Sequence, residues 1–195
     1  MAFTGEPDAD QLLSDNAFAL LVGMLLDQQI AMEVAFVGPL RLAERLGEPL
    51  TPAAVAAHDP GHLEDLFREK PAIHRYPGSM AKRVHALAAH LVEHHGGDAA
   101  DVWEGASDGA ELKRRLAALP GYGDQKARIF VAILGKRCGV TPDGWREAAG
   151  DYGRDGYRSI ADVTDPDSLA KVREWKQAQK AAAKAAKAER EAASR

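Results

Sequence analysis

Apolar residues recur at every third or fourth position along most of this chain of 195 residues. That spacing places them on one face of an α-helix, whereas a half-buried strand would alternate apolar and polar residues. No segment shows such alternation between turn signals, so the sequence predicts an all-α fold. The predicted helices cover about residues 18–26, 31–46, 52–58, 61–67, 79–95 and 109–118, a buried segment around 127–134, and helices opened by Thr141-Pro142 and Ser168.

Capping residues mark several of the predicted helix ends. Asp15 or Asn16 can cap the first helix, and Thr51-Pro52 combines an N-cap with proline at the first helical position. Residues 150–166 are rich in Gly, Asp and Tyr and predict a loop. The segment 178–193 is biased to Ala, Lys and Glu without a large apolar face, so we expect a frayed helix or disorder there.

Composition excludes several classes of protein. The 46% share of hydrophobic residues is too high for a fully disordered chain. Cys138 is the one cysteine, which excludes an internal disulfide framework and a four-cysteine zinc or iron–sulfur site. No apolar run approaches the ~20 residues of a membrane span, so we expect no membrane partner and a cytoplasmic location.

Charge is unevenly distributed around the net value of −4. Residues 173–195 hold seven Lys/Arg against three Glu, so a basic tail follows an acidic body at 1–172. Within that body, residues 111–139 hold seven bases against two acids. An acidic total argues mildly against nucleic-acid binding, but a local basic stripe matters more.

The turn Leu119-Pro-Gly-Tyr-Gly123 is the most specific local signal. We expect Gly121 and Gly123 to free the backbone for positive φ and close approach. The helix that follows presents unpaired N–H groups at its start, an arrangement suited to one DNA phosphate. The alternative interpretation is an ordinary turn between two helices.

Three motifs in order resemble the helix-hairpin-helix (HhH-GPD) superfamily of base-excision DNA glycosylases, the superfamily of endonuclease III and of the adenine-mismatch and 3-methyladenine glycosylases. Residues 16–30 are similar to the family's second helix with its Gln-Gln ending. Residues 75–84 and 119–127 are similar to its "G-Y–KA–I" segment and its hairpin. The resemblance implies two helical lobes around an active site, one of about residues 18–130 and the other combining 1–17 with 138–172.

The resemblance also implies site residues. The family's essential aspartate follows the hairpin by about 20 residues, which is Asp143 here, and it would stabilise the positive charge that develops on the sugar. Gln125 stands at the position of the lyase lysine, so the resemblance implies a monofunctional enzyme that uses water. Lys126 follows, and one helical step of ~100° should turn it away. A lyase acting through Lys126 stays an alternative.

DNA contacts follow from the same comparison. The implied DNA-binding residues are Gly121, Tyr122, Gly123, Gln125 and Lys126 at the hairpin, with Gln29 and the adjacent Gln28 filling the space left by a flipped nucleotide. A flipped base needs flat apolar walls, for which Trp145 and Tyr76 are candidates. The implied partner is double-stranded DNA with a damaged base, bound by a monomer.

Other features leave alternatives open. The resemblance allows a monovalent cation at the hairpin and no other cofactor, and we expect no metal at His90 and His94, which more simply form a solvated helix face. Lysines 176, 180, 184 and 187 would give salt-sensitive DNA affinity or merely solubility. The favoured substrate is an alkylated purine. The alternative function is a non-catalytic helix-hairpin-helix DNA-binding protein.

Overall fold

The computed structural model describes residues 1–193, and side chains as far as residue 186. Over this range the chain forms ten α-helices and no strand, which confirms the predicted all-α fold. The helices are α1 (Pro7–Asp15), α2 (Ala17–Leu26), α3 (Met32–Leu46), α4 (Pro52–Ala57), α5 (Pro60–Arg68), α6 (Pro77–His95), α7 (Gly109–Ala117), α8 (Asp124–Arg137), α9 (Trp145–Ala149) and α10 (Pro166–Ala193).

Several helix ends form through the residues that the sequence marks. The Asn16 side chain accepts the Ala19 amide at 2.9 Å, so Asn16 rather than Asp15 caps α2. Thr51 caps α4 through the Ala54 amide at 3.1 Å. Gly47 ends α3 at φ 68°, a left-handed conformation that glycine adopts without the Cβ penalty.

The structure differs from the prediction in the start of one helix and in the presence of another. Thr141-Pro142 does not open a helix, because the Pro142 carbonyl accepts the Trp145 amide at 3.1 Å in a turn and Gly144 at φ 72° precedes α9. Asp143 therefore lies in that turn rather than in a first helical turn. The chain also forms α1, which the sequence did not predict. Pro7 stands at its first position and pre-sets the helical φ there.

The core is built around α2. Nine of its ten residues are buried, and Phe36 of α3 packs so closely on Gly23 that a Cβ would overlap its ring. The cluster continues through α6, α7 and α8 to Val172 in α10. Because α2 is buried on every side, its last turn is held firmly in the core. That turn forms one edge of the cleft described below.

The last helix runs without a break from Pro166 to Ala193, across the predicted start of the tail at residue 173. The segment expected to be frayed or disordered is therefore helical as far as residue 193, with Lys187's side chain outside the described residues. The division into two lobes and a tail stays a prediction.

No single helix within residues 1–193 has the length and apolar character of a membrane span. Helices α1 and α2 meet those criteria only when they are taken together across a bend of 117°.

Candidate functional site

Helices α7 and α8 form a hairpin joined by residues 118–123. The turn closes through the Tyr122 amide, which donates to the Leu119 carbonyl at 3.0 Å. Gly121 adopts φ 79°, and a Cβ there would overlap the Leu25 side chain of α2. The hairpin thus sits directly on the end of α2, at a distance that only glycine permits.

Tyr122 points inward, not to the surface. Its side chain is 9% exposed, and its hydroxyl donates to the Leu21 carbonyl at 2.8 Å. Burial raises the pKa of the Tyr122 phenol well above its ordinary value. The structure therefore keeps this ring in the core, and any DNA contact here belongs to the backbone of residue 122.

Gly123 precedes α8 in an ordinary extended conformation, with φ −133°. The expectation of positive φ is therefore correct for Gly121 and wrong for Gly123. A Cβ on Gly123 would meet nothing within 4 Å, so the surface is open at this residue, which directly precedes the free amides of α8. Asp124 stands beside them with Lys113 and Arg128 at 2.9 and 2.7 Å, and Lys113 is the main cause of the lowered pKa of Asp124.

Lys126 joins the hairpin to α2. Its Nζ donates to the carbonyls of Met24 and Leu25, each at 2.6 Å, and these belong to the last helical turn, whose carbonyls lack helical partners. Burial lowers the pKa of Lys126 to about 8, while the carboxylate of Asp27 opposes that shift. The residue lines the cleft together with Gln125, so the predicted rotation does not turn it away.

The loop of residues 27–31, which links α2 to α3, carries both predicted wedge residues. Gln28 is held in place, since its amide nitrogen donates to the Leu25 carbonyl at 2.7 Å and Arg83 donates to its oxygen at 3.1 Å. Gln29 is exposed at φ 59°, the one non-glycine residue with positive φ in the described chain. The loop therefore presents Gln29, and not Gln28, at its tip.

His74 holds this loop in place through a hydrogen bond. It is 2% exposed, its Nε2 lies 2.9 Å from the Gln28 carbonyl oxygen, and its Nδ1 accepts the Tyr76 amide at 3.0 Å. These partners fix the neutral tautomer with the proton on Nε2. Burial lowers the pKa of His74, which agrees with a neutral ring.

A cleft of about 1250 Å³ opens between the start of α8, the 27–31 loop and the middle of α10. Gln125 crosses it and donates to the Tyr152 hydroxyl at 3.1 Å. Tyr152 and Trp175 stand edge to face, with ring centroids 6.4 Å apart. Besides these three, the lining includes Asp27, Gln28, Gln29, Glu33, Lys126, Arg158, Arg173, Lys176 and Lys180.

Besides the turn residues Gly121, Tyr122 and Gly123, three predicted site residues lie outside this cleft. Asp143 is exposed, and its carbonyl accepts the Gly109 amide at 2.8 Å. Gly109 begins α7 and stands at the end of that helix away from the hairpin turn. Trp145 packs its ring over Gly135 of α8, under the guanidinium of Arg146. Tyr76 is 42% exposed beside Arg75. The structure does not bring Asp143, Trp145 or Tyr76 to the cleft, and their functional roles stay predictions.

The sequence did not predict the two aromatic residues that line the cleft, Tyr152 and Trp175. Tyr152 lies in the segment interpreted as loop, and Trp175 lies at the start of the predicted tail. A buried ion pair fastens that loop, because Lys136 of α8 and Asp162 meet at 2.6 Å and Asp162 also accepts the amides of Arg158 and Ser159. One signal was available, namely the single aromatic residue, Trp175, in a helix that after Val172 is polar or alanine.

Comparison with protein families found one match. The model of the HhH-GPD superfamily of base excision DNA repair proteins matches residues 22–193. No curated protein matches the chain. The matched range includes the Gln29 loop, the hairpin and all of α10 that the structure describes, so this chain belongs to the HhH-GPD superfamily of base excision DNA repair proteins.

Proposed function

We propose that this protein is a monofunctional DNA glycosylase that receives a damaged base in the cleft and hydrolyses its N-glycosidic bond. One observation carries the proposal: a single cleft is bounded by the start of α8, by the Gln29 loop and by an aromatic pair. These are the three parts that the reaction needs, namely a phosphate anchor, a residue to replace the flipped nucleotide, and walls for the base.

The phosphate anchor is the start of α8. Free amides at a helix N-terminus bind anions, and the open space at Gly123 lets a phosphate approach them. Flipping a nucleotide costs a few kcal/mol, which the enzyme must offset with new contacts. Gln29 supports this role, since its side chain is exposed at the tip of a loop that Gln28 and His74 hold in place.

The base pocket is the corner formed by Tyr152 and Trp175. Their rings can stack on a base, and aromatic faces attract cationic rings in particular. Asp27 and Glu33 line the same cleft, but its basic residues outnumber its acidic ones, so the preference rests on the aromatic faces. An alkylated purine carries positive charge on its ring, so these faces favour alkylated purines over neutral uracil or 8-oxoguanine.

Monofunctional chemistry is supported by the residues at the start of α8. Gln125 has no amine, so it cannot form a Schiff base with the sugar. Lys126 has an amine whose pKa burial lowers to about 8, so most of it is still protonated at pH 7, and its ammonium donates to two α2 carbonyls. Water is then the nucleophile and an abasic site is the product.

A panel of duplexes, each with one lesion, tests the proposal. The lesions are an alkylated purine, uracil, 8-oxoguanine, hypoxanthine and mismatched adenine. Strand cleavage that needs added alkali, greatest for the alkylated purine, is the expected result. Cleavage without alkali, with a borohydride-trapped adduct lost in Lys126→Met, would instead establish a lyase.

A second candidate is a non-catalytic DNA-binding protein with the same hairpin. The position of Asp143 outside the cleft favours it, because that carboxylate cannot reach a base bound there in this arrangement. The same panel separates the two functions. Tight binding of every duplex, without excision of any lesion, would establish the binding protein.

A further inference from the structure

Among the side chains that the structure describes, four carboxylates line the cleft, and that of Asp27 is the least exposed, at 11%. The other three are engaged by nearby cations: Glu33 by Arg173, Asp124 by Lys113 at 2.9 Å, and Asp151 by Arg154 at 3.3 Å. Lys176 Nζ stands 3.7 Å from Asp27 Oδ2, beyond direct hydrogen-bond distance. Asp27 thus combines shielding from bulk water with an ion pair that is longer than those of the other three carboxylates.

Helix stability does not explain an acid at this position. Asp27 directly follows α2, and its amide donates to the Gly23 carbonyl at 3.1 Å. The C-terminal end of a helix carries partial negative charge, so a carboxylate there is unfavourable by about 0.3–1 kcal/mol. A residue that opposes local stability and faces a cleft is a candidate for function.

The position of Asp27 relative to the loop tip fits the reaction. Gln29 lies two residues farther along, so their Cα atoms are separated by at most ~7 Å. If Gln29 enters the space left in the duplex, the displaced sugar stands within a few ångströms of the same loop. Asp143 does not lie near the Gln29 loop in this way. It contacts the start of α7, and the nine residues of α7 span ~13 Å between that contact and the hairpin turn.

We infer that Asp27, rather than Asp143, supplies the catalytic carboxylate of this enzyme; the inference rests on the proposed glycosylase function. The C1′–N bond breaks and its electron pair leaves with the base, so a cationic alkylated purine departs neutral. The Asp27 carboxylate stabilises the positive charge on the sugar. Water then bonds to C1′ and gives one proton to Asp27.

Two lysines surround this carboxylate. Lys126 and Lys176 are both partly buried, which lowers the pKa of each, and the charge of Asp27 opposes both shifts. Their ammonium groups therefore place positive charge near the Asp27 carboxylate.

A pair of duplexes tests Asp27 without relying on turnover. One carries a pyrrolidine in place of the sugar, which is cationic like the transition state, and the other carries neutral tetrahydrofuran. The wild type should bind the pyrrolidine duplex at least ~10-fold more tightly, since transition-state analogues exploit such groups. Asp27→Asn should abolish the preference and Asp27→Glu should retain part of it.

Two comparisons make the test sharp. Asp143→Asn examines the residue that the family resemblance favours, and Asp155→Asn, 99% exposed and outside the cleft, controls for loss of one negative charge. Both should keep the preference. A preference that is absent in the wild type, kept in Asp27→Asn, or lost only in Asp143→Asn would overturn the inference. Asp27→Asn removes an acid from a helix C-terminus but also a negative charge near Lys126 and Lys176, so circular dichroism of every variant accompanies the binding test.

Single-turnover excision separates this inference from the proposed function. Asp27→Asn should slow excision by roughly 10²–10³-fold, the usual effect of removing one electrostatic stabiliser. Excision by the wild type that persists in Asp27→Asn overturns the inference and leaves the glycosylase intact. A wild type that excises no lesion refutes the glycosylase, while the analogue preference still decides whether Asp27 binds a cationic sugar.

Discussion

Gly121 and Gly123 stand one residue apart in the same turn, yet alanine should affect them differently. At Gly121, alanine adopts φ 79° at a cost of about 1–2 kcal/mol and forces its Cβ against Leu25, which adds about 1–3 kcal/mol. A gain of about 0.4–1 kcal/mol from a stiffer unfolded chain offsets part of this. We expect a net loss of about 3 kcal/mol, or roughly 6–12 °C in Tm for a chain of this size.

At Gly123, alanine should leave folding almost unchanged. The backbone is extended at φ −133° and a Cβ meets nothing within 4 Å, so the free energy of unfolding should rise by less than about 1 kcal/mol. The new methyl group, however, would stand beside the proposed phosphate site. Losing a charge-assisted hydrogen bond to phosphate costs about 1.5–3 kcal/mol, so DNA affinity should fall by roughly tenfold or more.

Urea denaturation followed by circular dichroism measures the first effect, and fluorescence anisotropy with a labelled duplex at fixed ionic strength measures the second. Gly139→Ala is the matched control, because Gly139 has φ 71° but open space around a Cβ. It should lose about 1–2 kcal/mol and keep its DNA affinity. Equal losses at Gly121 and Gly139 would refute the close packing on Leu25, and unchanged affinity in Gly123→Ala would refute the phosphate site.

Three further predictions concern the loop and its supports. Lys126→Met should lower the free energy of unfolding by about 1–3 kcal/mol in urea, since it removes an ammonium from two α2 carbonyls but also removes the cost of burying it. Gln29→Gly should be neutral or stabilising by up to about 1 kcal/mol at φ 59°, yet should weaken binding of an abasic duplex. Because burial lowers the pKa of His74, the unfolded chain takes up a proton near pH 6.5 before the folded one does, so unfolding free energy should fall as pH decreases from 6.5 through the folded pKa. His74→Gln should flatten that fall in urea titrations at about pH 7.5 and 5.5.

Local chemistry made much of the fold predictable. Thr51-Pro52 defines a helix start by itself, because the hydroxyl finds an amide three residues on and proline pre-sets the helical φ. Thr141-Pro142 has the same letters but a different outcome. There the Gly109 amide binds the Asp143 carbonyl and Gly144 turns the chain at φ 72°, so tertiary contacts determine where α9 starts.

The site was less predictable because it depends on how distant segments meet. A spacing of twenty residues after the hairpin places Asp143 near the cleft only if the chain returns along α8. Here the chain turns directly after α8, where the Val140 amide donates to the Leu134 carbonyl. The Asp143 carbonyl then accepts the amide of Gly109 at the start of α7. Tyr152 and Trp175 reach the cleft from segments with little local pattern of their own. No single-sequence rule brings them together.

The start of α8 couples the parts of the site. Within four residues, Gly123 leaves the helix amides open, Gln125 bonds to Tyr152 across the cleft, and Lys126 holds the last carbonyls of α2. A phosphate bound at the hairpin is thus connected through one rigid helical turn to the loop that carries Asp27 and the glutamine tip. Small displacements at this turn would move the carboxylate relative to the sugar, and a misplacement of 1 Å can cost ~10²-fold in rate. Loosening this turn with Lys126→Met should therefore slow excision by more than the loss of DNA affinity explains.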